Sequence, residues 1–237
     1  MIDFHSHILP ELDDGSESVE MSLAMLREAR RQGITTIFAT PHFYADETNP
    51  RGFLRQREES YNILKSAMDQ YPQKYPDIQL GAEVLFFPGM SVAEELQELR
   101  MGKTRLLLIE PPMMPWTNAM LDEIEQTGIN LRCIPVLAHV DRYMAYLQDE
   151  TLMDQLRGRR MLVQFNAGAF LDRARRSSAL GYLAANRIQF LGSDCHNVDS
   201  RPQNLAHAAR VIEEAGFAGS LERLERHVEE LLDYYRE

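Results

Sequence analysis

Cysteine is nearly absent. Only Cys133 and Cys195 occur in 237 residues, too few for a disulfide framework, so reduced thiols are expected. Basic side chains are also in deficit, 25 against 36 acidic ones, leaving a formal charge of −11. That balance argues against nucleic acid or anionic lipid as partner, because the overall field repels both. No apolar run approaches membrane-spanning length, and Asp3 stands where a signal peptide needs basic and then apolar residues. A cytoplasmic protein without membrane insertion is therefore expected. Low-complexity tracts, internal repeats of about 20 to 50 residues and Pro/Gly/Ser-rich seams are lacking as well. With 44% hydrophobic and 26% charged residues, the composition is that of a globular chain with a sizeable core. One domain over 1–237 is expected, since barrels of alternating strands and helices run to about 250 residues.

What is present alternates. An extended opening ends in Asp3-Phe4-His5-Ser6-His7, where His5 and His7 share one side and Ile2 and Phe4 face the other. Apolar spacing makes Val19 to Gln32 an amphipathic helix, with Ser16 or Ser18 as its cap. Strand-like segments follow at Thr35–Thr40, Ile78–Ala82, Arg105–Ile109, Leu131–Ala138, Met161–Phe165 and Ile188–Gly192. Between them, helices are expected over Phe53–Tyr71, stopped by Pro72 and Pro76, and over Ser91–Met101, capped by Ser91. Thr117–Thr127, Thr151–Leu156, Arg175–Asn186, Gln203–Ala215 and Leu221–Tyr235 complete the helices. Seven strand-helix units imply a parallel sheet with helices outside it, an α/β fold that suggests a barrel.

Residues that ligate metals fall at or just past the strand ends. They are His5, His7, His42, Glu83, Glu110, His139, Asp194 and His196, with Asp14 in the loop after the first strand. In barrel enzymes that rim holds the active site. Five of the seven histidines belong to this set, whereas ordinary surface histidines would fall mid-helix, as only His207 and His227 do. Nine nitrogen and carboxylate donors exceed what one ion requires, so two or three ions fit better. Imidazole with carboxylate suits manganese, iron or zinc rather than calcium. Clustered divalent ions favour hydrolysis, acidifying water while holding phosphoryl oxygens, which makes phosphate esters the leading substrates. Arg142, three residues after His139, and Arg201, five after His196, could bind phosphate bidentately or be solvated surface residues.

The stretches DFHSHILPELDDGS, ATPHF, GAEV, the Ile-Glu at Glu110, AHVDRY and GSDCHN with its following RP resemble the PHP (polymerase and histidinol phosphatase) superfamily. Within it they are most similar to the bacterial metal-dependent protein-tyrosine phosphatases of capsule and exopolysaccharide operons, the CpsB/CapC type. That resemblance covers essentially the whole chain, and Glu110 in place of a histidine favours it over the histidinol phosphatase branch. It implies a distorted (β/α)7 barrel in a single domain, holding three divalent ions, usually manganese. It further implies His5, His7, Glu83 and Asp194 on one ion, with Glu83 bridging to a second held by Glu110 and His139. Asp14, His42 and His196 would take the third, and Arg142 and Arg201 match the phosphate-contacting arginines. The implied substrate is a phosphotyrosyl protein, a tyrosine autokinase of polysaccharide export, and a homo-oligomer occurs in some members. Two departures stand out: Cys195 where the family usually has Ala, and Val140-Asp141 where it has Pro-Glu. They bear on the substrate mouth, as does the loop Pro111 to Trp116, which could hold a phosphotyrosine ring or simply pack on the barrel.

Three other readings compete. Cys195 and Arg201 have the Cys-x5-Arg spacing of cysteine-dependent phosphatases, but such a loop needs a thiolate among backbone amides, and Asp194 repels one. A second reading keeps the ions and makes the substrate a small phosphate monoester such as histidinol phosphate. The third is a non-catalytic docking protein with structural ions, whose Arg157, Arg159, Arg160, Arg173, Arg175 and Arg176 receive an acidic kinase tail.

Overall fold

A computed structural model describes residues 1–71, 75–148 and 151–236. The chain opens with β1 (Ile2–Ser6), α1 (Val19–Arg31) and β2 (Thr36–Ala39). After a break at Thr40-Pro41 come β3 (His42–Phe43) and α2 (Pro50–Met68). The next strand is also broken, into β4 (Asp77–Leu80) and β5 (Glu83–Leu85). Then follow β6 (Leu106–Glu110), α3 (Asn118–Asn130), β7 (Ile134–Leu137), α4 (Val140–Leu147) and α5 (Leu152–Gln155). The remainder is β8 (Leu162–Asn166), α6 (Gly168–Leu171), α7 (Arg176–Ala184), β9 (Phe190–Gly192), α8 (Leu205–Glu214) and α9 (Ala218–Tyr234).

All strand pairs are parallel, in the orders β1-β2-β4 and β3-β5-β6-β7-β8-β9. The two sets join through the broken strands, where Gly81 N donates to Ala39 O (2.8 Å) and Glu83 N to Pro41 O (3.0 Å). The sheet curls until its far end meets β1: Ser6 bridges Cys195, Asp194 N donates to His5 O (2.8 Å) and His7 N to Cys195 O (2.9 Å). Between Asp3 and Ser6, two residues of β1, Phe4 and His5, oppose the single Phe38 of β2, so a bulge interrupts the alternation expected of the opening strand.

Continuous apolar strands are what a sheet covered on both faces requires. Leu106, Leu107, Leu108 and Ile109 are all fully buried, each stabilising the fold by roughly 1.5–3 kcal/mol relative to exposure. From three neighbouring strands, Phe4 packs on Phe38 and stacks on Phe190 with centroids 5.1 and 3.9 Å apart. The helices bury one stripe each, as in α1 with Leu23, Met25, Leu26 and Ala29. Ser18 rather than Ser16 caps that helix, accepting from Met21 N at 3.1 Å. Among the described residues no helix is long and apolar enough to cross a membrane.

Three local expectations need correction. Ser91–Met101 is not an α-helix but two 3-10 turns, Met90–Val92 and Glu94–Leu99. Ala93 between them leaves helical geometry, and the first turn finds its partners on α3: Ser91 N donates to Glu123 and Asn130 donates to Ser91 O. Ser91 therefore caps nothing. The helix α4 was not expected at all, because it starts directly on the strand-end residue His139 with no capping side chain. Finally, α2 begins earlier than Phe53, at Pro50, where Asn49 accepts from Gly52 N (2.9 Å). Pro72, expected to stop that helix, lies outside the described residues.

Candidate metal centre

Parallel strands all deliver their C-terminal ends to one rim, and the curl of the sheet turns that rim into a mouth. His5 is the penultimate residue of β1 and His7 follows it; His42 and Glu83 open β3 and β5, the continuations of two broken strands. Glu110 ends β6, His139 follows β7, and Asp194 and His196 follow β9. The buried Glu83 is the hub. Its Oε2 lies 3.1 Å from His5 Nε2, 3.3 Å from His7 Nε2 and 3.2 Å from His42 Nδ1, and its Oε1 lies 2.8 Å from His139 Nε2. Glu110 reaches His139 Nε2 (3.4 Å) and His42 Nδ1 (3.7 Å). Asp194 Oδ1 stands 3.7 and 3.6 Å from the Nε2 atoms of His5 and His7. Asp14, mostly exposed, closes the set from outside with Oδ1 3.4 Å from both His42 Nε2 and His196 Nε2. All nine side chains picked out in the sequence thus form one contiguous cluster, while His227 sits on α9 beside Glu230 and His207 on α8.

The backbone is bent to achieve this. His139 and Asp194 both have left-handed conformations, φ 32° and 54°, which cost a non-glycine residue about 1 kcal/mol or more. Two glycines admit the chain to the site: a Cβ on Gly15 would stand 2.3 Å from His7 O, and one on Gly192 would stand 2.5 Å from His5 Cβ. Gly15 is thus needed for the close approach of its loop to His7.

Hydrogen bonds from the rear select the ring nitrogens. His7 Nδ1 lies 2.7 Å from Asp13 Oδ2, His5 Nδ1 3.2 Å from Gln164 Oε1, and His196 Nδ1 3.0 Å from the Asp194 carbonyl. With acceptors behind them, each Nδ1 carries a proton and each Nε2 is the ring atom turned to the cluster, the one that would give its lone pair to a cation. The field there is strongly negative. Burial disfavours charge on His7 and His139, yet hydrogen bonds and charge from Asp13 and Glu83 hold His7 up at about 10, and those from Glu110 and Glu83 hold His139 at about 9. Burial and repulsion from His7 bring His196 down to about 4. Glu83 and Asp194 resist burial because the surrounding imidazoles keep both well below the usual carboxylate range.

Donor chemistry fits metal ions. His5 Nε2 and His7 Nε2 stand only 3.1 Å apart, so two ring nitrogens converge where one cation could be shared. Among the described residues His42 Nδ1, His139 Nδ1 and His196 Nε2 are buried without a hydrogen-bond partner. Among the described residues, three sets have donor atoms within 4.8 Å of one another: His7, Asp14, His42 and His196; His5, His7 and Glu83; His42, Glu83 and Glu110. A field able to hold a proton on a buried imidazole favours a divalent cation still more.

The family described as Capsular polysaccharide synthesis, CpsB/CapC, matches residues 1–227. The chain belongs to that family. It is 30% identical over 222 residues to the tyrosine-protein phosphatase YwqE of Bacillus subtilis, covering 90% of this chain and 84% of that protein. To the tyrosine-protein phosphatase CpsB of Streptococcus agalactiae it is 28% identical over 230 residues, covering 90% and 89%. A crystal structure from work on YwqE of Bacillus subtilis and CpsB of Streptococcus pneumoniae, called unique metal-dependent tyrosine phosphatases, matches with a TM-score of 0.82 at 28% identity. That match covers 98% of this chain and 94% of the other.

In this CpsB/CapC chain the two arginines border the cluster. Arg201 Nη2 donates to Asp194 Oδ1 (2.8 Å) and Arg142 Nη1 lies 3.6 Å from Asp194 Oδ2, each side chain more than a third exposed. Cys195 is buried, and burial together with the charge of Asp3 pushes its thiol far up. A group held as a neutral thiol is no nucleophile. Of the loop Pro111–Trp116, Met113 and Met114 are exposed, whereas Trp116 is buried against Tyr143, whose hydroxyl donates to Pro111 O. The arginines offered for docking are largely engaged within the chain: Arg159 with Asp122 and Glu125, Arg175 with Asp141 and Asp172, Arg176 with the Phe170 and Leu171 carbonyls.

Three functional neighbours escaped the sequence reading. Asp13 binds His7 and also accepts from His42 N (3.0 Å) and Gly15 N (2.9 Å); only the Asp13-Asp14 doublet hinted at it. Gln164 and Asn166 lie on β8, which supplies no ligand of its own, and two amides in an otherwise apolar strand were the signal available.

Proposed function

We propose that the protein is a metal-dependent protein-tyrosine phosphatase that hydrolyses phosphotyrosine with water as the nucleophile. The observation that carries this reading is the single buried carboxylate of Glu83 meeting four imidazoles, those of His5, His7, His42 and His139, within 3.3 Å. The family membership and the names of its relatives point the same way.

Three divalent ions would be held, manganese first, with iron and zinc as the alternatives. His5, His7, Glu83 and Asp194 would take one; Glu83, Glu110 and His139 the second; Asp14, His42 and His196 the third. The grouping of His42 with Asp14 and His196 supports that division, although His7 and the Nδ1 of His42 lie close enough to serve neighbouring positions too. Such ions, when bound, supply Lewis acidity to water and to phosphoryl oxygens. The chain's own contribution is positioning. Asp13, Gln164 and the Asp194 carbonyl hold three Nε2 lone pairs toward the mouth, and Arg142 and Arg201 offer guanidinium donors to the phosphate oxygens. Their present partner, Asp194, keeps both guanidinium groups at the rim until substrate competes for them.

The fold that supports this site is best read as one domain over 1–237 and a distorted (β/α)7 barrel, taking β2 with β3 and β4 with β5 as single broken strands. The bonds between β1 and residues 194–195 support closure. A tyrosine autokinase of capsular or exopolysaccharide synthesis, met in the cytoplasm, is the substrate in keeping with the family's description, and a homo-oligomer is an assembly the family resemblance allows. The deciding experiment strips the protein with a chelator, reloads it with Mn2+, and compares a phosphotyrosyl peptide with histidinol phosphate and other small monoesters. Metal-dependent turnover with preference for the peptide is expected. Full activity in the stripped protein, or preference for the small esters, overturns the reading.

A further inference from the structure

Every strand that ends in the mouth contributes a donor-type residue except β8, which brings Gln164 and Asn166. We infer that these two amides are positioning residues forming a one-way relay that orients His5 and Asp194 for the ions, an inference that rests on the metal-centre reading above.

Polarity in the relay originates in a backbone group. His139 N–H can only donate, and it donates to Gln164 Oε1 at 2.6 Å, so the oxygen of Gln164 must face that way. The same oxygen lies 3.2 Å from His5 Nδ1, which forces the proton of His5 onto Nδ1 and its lone pair onto Nε2. The amide nitrogen of Gln164, its direction now fixed, donates to Asn166 Oδ1 at 2.9 Å. That leaves Asn166 Nδ2 to donate to Asp194 Oδ2, also at 2.9 Å. Asp194 is thereby engaged through Oδ2 and turns Oδ1 to the Nε2 atoms of His5 and His7. Neither amide of the relay can flip without leaving a buried donor facing a donor.

The relay is anchored at its far end as well. Asn166 N donates to Asp141 Oδ1 (2.8 Å), and Arg175 Nη1 holds Asp141 Oδ2 (3.0 Å). Gly192 matters here too, since a Cβ there would come within 2.9 Å of Gln164 Nε2. One strand without a ligand thus disciplines ligands from two others and ties them to the backbone of a third.

The test is Mn2+ titration of metal-stripped full-length protein, reading free Mn2+ by its paramagnetic resonance signal, with melting curves in chelator to establish folding. Gln164→Leu, close in volume, is expected to weaken Mn2+ binding about 10- to 100-fold, the usual effect of removing a group that orients a ligand. Asn166→Asp is isosteric but places an acceptor against Asp194, so it should bind more weakly than the truncated Asn166→Ala. A space-filling role predicts the reverse order. Unchanged affinity in folded variants, or Asn166→Ala weaker than Asn166→Asp, overturns the relay. Should Gln164→Leu fail to fold, the two Asn166 variants still decide. Failure of the unsubstituted protein to bind Mn2+ sinks the metal centre itself, and the relay with it.

Discussion

Two buried polar clusters lie a few ångströms apart on β1, and they are built on opposite principles. Asp3 is completely buried, and all its acceptor capacity is met from within the chain: Oδ1 takes Ser193 N (2.8 Å) and His5 N (3.3 Å), Oδ2 takes Ser193 Oγ (2.6 Å) and Gln203 Nε2 (2.6 Å). It is a closed clamp that fastens β1 to the segment after β9, and burial still raises its pKa. Two residues on, the cluster around Glu83 is left open, with imidazole nitrogens facing each other or, among the described residues, buried without a hydrogen bond. Fully satisfied buried polar groups fix a structure; a partly satisfied set of the same residue types marks a place where something else binds.

The comparison breaks most decisively at Glu83. Glu83→Gln removes the charge that four imidazoles share, and phosphotyrosine turnover is expected to fall to background, as it should on chelation of the unsubstituted protein; atomic emission would show the ion content falling with it. Retained turnover would mean that the open cluster is structural like the closed one. A smaller loss, about 100-fold in kcat/KM, is expected for Arg201→Ala assayed at fixed Mn2+, with little change in melting temperature. Asp3→Ala sharpens the contrast from the other side. It strands the Ser193 and Gln203 donors and should cost about 1–3 kcal/mol in denaturant unfolding, while the folded fraction keeps its Mn2+ stoichiometry. The smallest effect belongs to Cys195→Ser, which should change kcat/KM by no more than about threefold, since the thiol is buried and neutral; abolished activity there would reopen the cysteine mechanism.

Much of this was legible in the sequence because parallel strands place their last residues at one rim, so a run such as Leu106 to Ile109 followed by Glu110 announces both the strand and the donor it delivers. The same reasoning found His42, Glu83 and His139. It failed at Ser91–Met101, where apolar spacing imitated a helix while the backbone bonds went to α3. It also passed over α4, whose start on His139 carries no cap signal, and over Asp13, whose neighbour Asp14 has the more exposed side chain and the same chemistry.

Residue types and local periods are properties of short windows, and they sufficed to settle which donors exist and at which strand ends they stand. Which atoms meet is a property of the curl that returns residues 194–195 to β1, and no window spans it. Only that closure decided that Glu83 would be the hub, that Asp3 would be sealed two residues from an open site, and that the amides of a ligand-free strand would face the ligands of its neighbours.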